Sequence, residues 1–157
     1  MTHYRYIDTP IGHLLIAGTA QGLVQIAFEG SSHATPADDW SPGPCAVLDQ
    51  AEGELKAYFA GERHQFSVPH CPQGTPFQTQ VWHALCTIPY GKTCSYATIA
   101  KHIGNPNAVR AVGAANGRNP LPIFVPCHRV IGSNGTLTGF AGGLAIKAHL
   151  LSLEQAR

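Results

Sequence analysis

A short linker-like segment divides this chain of 157 residues into two halves of opposite charge. Residues 69–74 read Pro-His-Cys-Pro-Gln-Gly, a run of breakers typical of a loop. Residues 1–74 carry three basic and eight acidic side chains, a net charge of −5, whereas residues 75–157 carry seven basic and one acidic, a net charge of +6. We therefore expect two small domains, residues 1–72 and 73–157, each with its own core.

The positive half favours nucleic acid as a partner, because lysine and arginine placed at phosphates release condensed counterions. The chain starts without a basic segment followed by an apolar one, and no apolar run approaches the roughly 20 residues of a membrane span. Five cysteines without a C-x-x-C pair fit reduced thiols. We expect a cytoplasmic protein that does not contact membranes.

Alternating apolar residues predict a small antiparallel sheet in the first half. Three short strands are expected over residues 2–8, 14–18 and 23–28, with turns between them. After a loop rich in Pro, Ser and Gly, apolar residues at helical spacing predict one helix: Leu48, Ala51, Leu55, Tyr58 and Phe59. A further strand is expected over residues 65–69, which makes this half an α/β unit.

Two short helices joined by a tight turn are the main prediction for the second half. They should cover residues 96–103 and 105–116, separated at Gly104 and followed by Asn105-Pro106. This spacing is typical of a helix-turn-helix, although an ordinary helical hairpin has the same pattern. Before them, Thr75-Pro76-Phe77-Gln78 predicts a capped helix start. The positive charge favours DNA binding.

The second helix of the pair has few bulky side chains. Alanine and glycine fill most of its positions between Ala108 and Gly117, and Arg110 is its one long polar residue. A reader of base edges in the major groove normally carries several such side chains. We therefore expect minor-groove or backbone docking, with close helix packing inside the protein as the alternative.

Cys127 and His128 are the strongest chemical feature of the chain. Cysteine attacks as its thiolate, and a neighbouring imidazole can accept the proton or hold the charge, lowering the thiol pKa from about 8.5. Glu154 is the only acid of the positive half, and we expect it to contact His128. The alternatives are a small buried cysteine without reactivity and a glutamate on the surface.

The last part of the chain predicts a turn and a final helix. Residues 133–136 read Ser-Asn-Gly-Thr, a turn sequence, and the helix that follows should face the core with Leu144, Ala148 and Leu151. Leu150 is a further candidate for that face. We expect Glu154 near the end of this helix.

No cofactor and no metal site are expected. A metal site built from side chains of the second half would lack C-x-x-C or H-x-x-x-H spacing; the candidates are His83, Cys86, Cys94, Cys127 and His128. Zinc in the first half, from pairs such as His70 and Cys71, has no motif behind it and stays open.

Several separated motifs between residues 74 and 155 occur in an order that resembles one known family. They are Gly74-Thr75-Pro76-Phe77-Gln78, Ile88-Pro89-Tyr90-Gly91, Ser95-Tyr96, Arg110-Ala111-Val112-Gly113, Asn119-Pro120 and Pro126-Cys127-His128-Arg129-Val130. This set resembles the O6-alkylguanine-DNA alkyltransferases, also called methylated-DNA-protein-cysteine methyltransferases. The resemblance implies a ribonuclease H-like first domain with an antiparallel sheet, and a winged-helix-like second domain with a helix-turn-helix.

The resemblance also implies direct reversal of DNA damage. Such a protein binds duplex DNA from the minor groove, rotates O6-alkylguanine out of the stack and moves the alkyl group to its own cysteine, which is used once. The implied catalytic residues are Cys127 as acceptor, His128 as base through a water, Glu154 as its orienting carboxylate, Tyr96 as proton donor to guanine and Asn119 as a brace.

DNA and substrate contacts follow from the same resemblance. The side chain that fills the vacated stack would be Arg110, and the other DNA contacts would come from Tyr96, Asn105, Ala111 and Ser133. The substrate pocket would include Val130, Phe140 and Ala141. Phe140 stands where a tyrosine is often found, and Ala141 where certain members carry a serine, so alkyl groups larger than methyl are a hypothesis.

The likeness implies a monomer. It leaves open repair of O4-alkylthymine, cooperative binding along DNA and the role of the first domain. Two rival classes fit less well. A non-enzymatic alkyltransferase-like protein lacks the cysteine that Cys127 provides. A winged-helix transcription regulator needs a recognition helix rich in polar side chains, which residues 108–117 do not supply.

Overall fold

The chain folds into two compact units, Met1–Gln73 and Gly74–Arg157. The computed structural model describes residues 1–31, 33–140 and 142–155. Within these ranges no helix has the length and apolar character that crossing a membrane requires. Each unit has its own buried residues, so each can be described by itself.

A twisted sheet forms the first unit. Its strands β1 (His3–Thr9), β2 (Gly12–Thr19) and β3 (Gly22–Phe28) pair antiparallel in chain order, which confirms the three expected strands. A two-residue strand β4 (Ser41–Pro42), which was not expected, adds parallel to β1, so the order is β3-β2-β1-β4.

One helix, α1 (Ala46–Phe59), covers this sheet as expected. Its inner face consists of residues with no exposed surface at helical spacing: Leu48, Ala51, Leu55 and Tyr58. The helix contacts β1, β2 and β3, and five consecutive residues of β2, Leu14 to Gly18, are buried in this unit. Burial of such apolar surface is the main stabilising contribution in this unit.

The strand expected over residues 65–69 is wrong. The amides of Ser67 and Val68 donate to Glu54 Oε1 at 2.9 and 3.1 Å instead of to a neighbouring strand. At the end of this segment, Leu23 N donates to Pro69 O at 2.8 Å and Cys71 N donates to Leu23 O at 2.6 Å, which forms one isolated bridge between Leu23 and His70. Because the buried carboxylate of Glu54 satisfies the amides of Ser67 and Val68, the segment is held against α1 and does not extend the sheet.

Three helices form the body of the second unit: α2 (Pro76–Leu85), α3 (Tyr96–His102) and α4 (Val109–Gly117). The expected capping box is present, because Gln78 N donates to Thr75 Oγ1 and Thr75 N to Gln78 Oε1. Each helix contacts the other two, and the indole of Trp82 donates to the carbonyl of Ala115 at 2.9 Å.

The pair α3 and α4 has the predicted helix-turn-helix order, with a later start for α4 than expected. Asn105 to Ala108 form one hydrogen-bonded turn, in which Ala108 N donates to Asn105 O at 3.0 Å. The turn does not continue, and the helix begins at Val109. Gly104, with a φ of 79°, ends the preceding helix in the left-handed region that glycine tolerates best.

A short strand pair and a last helix complete this unit. β5 (Cys94–Ser95) pairs parallel with β6 (Val130–Ile131), and a single 3₁₀ turn, Cys127–Arg129, leads directly into β6. The last helix, α5 (Leu144–Leu153), contacts this turn and has Glu154 at its end. The strand pair therefore brings the start of α3 beside the segment that follows Cys127.

The expected inner face of α5 is confirmed for Leu150 and wrong for Leu144 and Ala148. Leu144 is 49% exposed and Ala148 is also exposed, whereas Lys147 and Leu150 have no exposed surface. Leu151 is half-buried. Lys147 Nζ donates to oxygen acceptors inside the unit, so Lys147 lies on the inner face of the helix. A charged residue therefore occupies a position where hydrophobic spacing predicts an apolar one.

Candidate active site

Cys127 lies in the 3₁₀ turn and is 4% exposed. Two hydrogen bonds shape the turn, from Cys127 N to Val125 O at 2.7 Å and from Arg129 N to Pro126 O at 3.0 Å. Pro126 fixes the backbone just before the cysteine. The thiol is thus held on a rigid, buried turn.

Asn119 braces the segment that leads to the cysteine. Its Nδ2 donates to Val125 O at 2.9 Å, and its Oδ1 accepts from Leu121 N at 3.0 Å. Between these two anchors Ile123 has a φ of 77°, a conformation that is costly for a β-branched residue. The two side-chain hydrogen bonds help to hold this strained loop in place.

His128, Arg129 and Glu154 form a buried polar cluster beside Cys127. His128 Nε2 is 2.7 Å from Glu154 Oε2. Arg129 donates from Nε and Nη2 to the two carboxylate oxygens, at 2.8 and 3.0 Å, and from Nη1 to Ile88 O at 2.8 Å. The expected contact of Glu154 with His128 is present, but the carboxylate also has a bidentate arginine, which the sequence reasoning missed.

The hydrogen bond to Glu154 sets the tautomer of His128. An ionised carboxylate can only accept, so Nε2 carries the hydrogen and Nδ1 carries the lone pair. Nδ1 is buried and has no hydrogen-bond partner among the described residues. Burial, followed by the charges of Arg129 and Lys147, lowers the pKa of His128 despite the nearby Glu154. The imidazole is therefore neutral and basic at Nδ1.

The pKa of Cys127 moves in the opposite direction from the one expected. Burial raises the pKa of the thiol to about 11. Hydrogen bonding from Asn119 and the charge of Lys147 lower it, but less than burial raises it. The adjacent imidazole does not compensate because it is neutral. At pH 8 a thiol with this pKa is only ~0.1% ionised, so a base must assist its deprotonation.

Tyr96 is the first residue of α3, and its hydroxyl oxygen lies 2.5 Å from Thr138 Oγ1. Thr138 belongs to the loop between β6 and α5, and its side chain and backbone oxygen both face Lys147 Nζ. Lys147 donates most closely to Val130 O, at 2.6 Å. Sequence reasoning missed Thr138 and Lys147; for Lys147, the helical spacing with Leu150 and Glu154 was an available signal.

The exposed face of α4 carries the predicted small residues. Arg110 is exposed and makes no hydrogen bond or ion pair to the described residues, and Ala111, Ala114 and Gly117 are exposed beside it. The buried face uses other residues, Val112, Ala115 and Asn116. Internal packing therefore does not explain the small residues of the outer face, which leave this surface low and accessible.

The remaining predicted residues lie at different depths. Asn105 and Ser133 are exposed in turns, Val130 is fully buried on β6, and Phe140 is half-buried. Ala141 lies outside the described residues. The positive charge is also distributed unevenly in the described part of the second unit, since Arg129 and Lys147 are buried while four lysine and arginine side chains are exposed: Lys92, Lys101, Arg110 and Arg118.

No group of three or more His, Cys, Asp or Glu side chains in the described part of the chain is placed to hold a metal ion. The two candidate sets from the sequence, around Cys127 and around His70, do not form such a group there.

Fold and site together define a protein with a buried cysteine, a histidine and a buried ion pair on a helix-turn-helix-like unit. Residues 76–156 match the model of the 6-O-methylguanine DNA methyltransferase DNA binding domain, and residues 2–70 match that of the ribonuclease-like domain of the same proteins. The chain belongs to this family. The resemblance and the fold class expected from the sequence are thereby confirmed.

Relatives are similar in sequence to this chain over nearly its whole length. A methylated-DNA--protein-cysteine methyltransferase of Methanosarcina acetivorans is 51% identical over 97% of this chain and 97% of its own length. The constitutive enzyme of that name from Bacillus subtilis is 46% identical, over 99% and 96%. The crystal structure of Mycobacterium tuberculosis OGT in complex with DNA matches with a TM-score of 0.91 at 50% identity, covering 98% of this chain and 92% of that one.

Proposed function

We propose that this protein repairs O6-alkylguanine in double-stranded DNA by transferring the alkyl group to its own Cys127. The observation that carries the proposal is the buried thiol beside a neutral imidazole that is itself bound to Glu154 at 2.7 Å. Family membership and the DNA complex of the M. tuberculosis relative support the substrate class. The chemistry belongs to the second domain, residues 73–157.

DNA would dock on the exposed face of α4 from the minor groove. The small residues of this face, including Ala111, allow a close approach, and Arg110 is a long side chain without an internal partner among the described residues. We assign Arg110 to the space left in the stack when the damaged base rotates out, and Asn105 and Ser133 to contacts beside it. Rotation costs a few kcal/mol, less for a damaged pair, which favours the lesion.

His128 is the base that removes the proton of Cys127. Its Nδ1 lone pair is available and its pKa is lowered, so it is neutral when the reaction begins. A water between the two groups can pass the proton. Glu154 orients the ring through Nε2 and balances the imidazolium that forms, as a carboxylate does in other triads.

The thiolate then attacks the alkyl carbon in line with the departing guanine oxygen. Guanine leaves as an anion unless it is protonated, and we assign that proton to Tyr96. Asn119 keeps the loop before the cysteine in position, and we assign Val130 and Phe140 to the border of the substrate pocket. The pocket role expected for Ala141 concerns a residue outside the described ranges. The product is a thioether, which is not readily cleaved, so each protein molecule acts once. The protein would work as a monomer and without a cofactor.

Duplex DNA with radiolabelled O6-methylguanine tests this proposal. We expect label to move from DNA to protein until one methyl group per chain is reached, with no further turnover. The matched variant Cys127→Ser should bind the duplex and take up no label. Label that stays on DNA, or transfer that continues beyond one equivalent, would contradict the proposal. The same assay with benzyl and O4-methylthymine adducts defines the substrate range.

A further inference from the structure

We propose that Thr138 is a positioning residue for alkyl transfer, because it connects the phenol of Tyr96 to the buried ammonium group of Lys147. The inference rests on the proposed function, since it concerns the step in which guanine leaves the alkyl carbon as Cys127 attacks it. Thr138 lies in the loop between β6 and α5.

Two contacts place the threonine hydroxyl between the other two groups. Thr138 Oγ1 lies 2.5 Å from the Tyr96 hydroxyl oxygen and 3.4 Å from Lys147 Nζ. Lys147 has no exposed surface and is held at the same time by Val130 O at 2.6 Å and by Thr138 O at 3.3 Å. The lysine is thus fixed by backbone oxygens, and its contact with the hydroxyl is additional.

The chemistry of the three groups determines which way the hydrogens point during the reaction. An ammonium group can only donate, so Lys147 occupies one lone pair of Thr138 Oγ1. The threonine O–H is then available to donate to the Tyr96 oxygen. With that oxygen accepting, the O–H of Tyr96 is directed away from the loop and is free for the bound base. Hydrogen bonds in such a chain polarise one another.

The hydrogen bonds that join Lys147, Thr138 and Tyr96 act on the leaving group, guanine. As the bond from Cys127 sulfur to the alkyl carbon forms, the bond from that carbon to guanine oxygen 6 breaks, and its electron pair stays on guanine. The proton of Tyr96 passes to a ring nitrogen of guanine, which leaves a phenolate. Thr138 donates to this phenolate, while Lys147 donates to Thr138. Solvent returns a proton to the phenolate after the base has left.

The hydroxyl is not required to hold the loop. The backbone oxygen of Thr138 already contacts Lys147, and a valine at this position would keep that contact and the β-branched shape. Thr138→Val therefore removes the hydroxyl with little other change, and Thr138→Ser restores it. These two variants separate the chemical role from a structural one.

Single-turnover methyl transfer from O6-methylguanine duplex measures the effect. A hydrogen bond to a charged group is stronger than one between neutral groups, so we expect Thr138→Val to slow transfer roughly 10- to 100-fold and Thr138→Ser to recover most of the rate. Affinity for the duplex, measured with Cys127→Ser as the background, should not change. A Thr138→Val protein as fast as the wild type would overturn the inference.

Alkylation of Cys127 by iodomethane provides the second measurement, because iodide leaves without a proton. Thr138→Val and wild type should react equally, as read from the mass of the peptide that contains Cys127. An equal slowing with iodomethane and with DNA would mean that Thr138 acts on the thiol or on folding, and would refute the leaving-group role. If wild type itself takes no methyl group from the duplex, the proposed function fails; if it does, a negative result concerns Thr138 alone.

Discussion

Replacing Arg129 by Met should lower both stability and the rate of methyl transfer, because this arginine neutralises the carboxylate that binds His128, the base of the proposed mechanism. Arg129 is 7% exposed in its side chain and makes three hydrogen bonds, two to Glu154 and one to Ile88 O. Met has a comparable apolar length but no charge. Glu154, whose side chain has no exposed surface, would then depend on His128 for its counter-charge.

The magnitude follows from the burial of the pair. Removing one partner of a buried ion pair costs about 3–5 kcal/mol, because the other charge stays buried and uncompensated. The loss of Arg129 also removes one of the charges that lower the pKa of His128. The pKa of His128 should therefore rise, and an imidazolium that is already protonated cannot accept the proton of Cys127. Methyl transfer should slow at neutral pH and recover as the pH is raised.

Urea unfolding in a Trp40→Phe background, where Trp82 is the remaining tryptophan, measures the stability of the second unit by fluorescence, and single-turnover transfer between pH 6 and 9 measures the chemistry. Arg118→Met is the matched control, because Arg118 is exposed in the same unit and should change stability by no more than about 0.5 kcal/mol. An Arg129→Met protein as stable as this control, with an unchanged pH profile, would show that the buried ion pair does not support the imidazole.

Three further outcomes are expected. Folding raises the Cys127 pKa from 9.0 to about 11, so above pH 9 the unfolded chain loses this proton before the folded protein does. The free energy of unfolding should therefore fall by up to ~2.7 kcal/mol by pH 11. Urea unfolding at each pH should show this loss in wild type and not in Cys127→Ser. Gly74→Ala should destabilise the second unit by about 1–3 kcal/mol in urea unfolding, since the added Cβ would lie 2.4 Å from the Trp82 ring, and an unchanged midpoint would contradict this packing. Arg110→Ala should slow repair of duplex DNA while leaving iodomethane alkylation of Cys127 unchanged, and equal repair rates would exclude its role in base rotation.

The elements that the sequence predicts well are those fixed by local chemistry. The capping box at Thr75 depends on residues three apart, and the three strands depend on alternation within a few residues. The pairing of His128 with Glu154 was also predictable, because Glu154 is the only acid of the second half. In each case the residues involved have few alternative partners in the sequence.

The features that the sequence does not predict depend on distant partners. Residues 65–69 have a strand pattern, but the buried carboxylate of Glu54, more than ten positions earlier, takes the amides that a strand would use. In the sequence, Lys147 is expected on the surface because lysine is rarely buried, but its ammonium group donates to oxygens of Val130 and Thr138 inside the unit. The raised pKa of Cys127 has the same origin, since burial is a property of the whole unit and not of the neighbouring histidine.

The most direct test of the account is the location of the transferred group. After incubation with excess O6-methylguanine duplex, the protein is digested and the peptide that contains Cys127 is compared by mass spectrometry with those that contain the other four cysteines: Cys45, Cys71, Cys86 and Cys94. We predict complete methylation of Cys127, with the other four unmodified. An unmodified Cys127 after the lesion has been repaired would contradict the central claim.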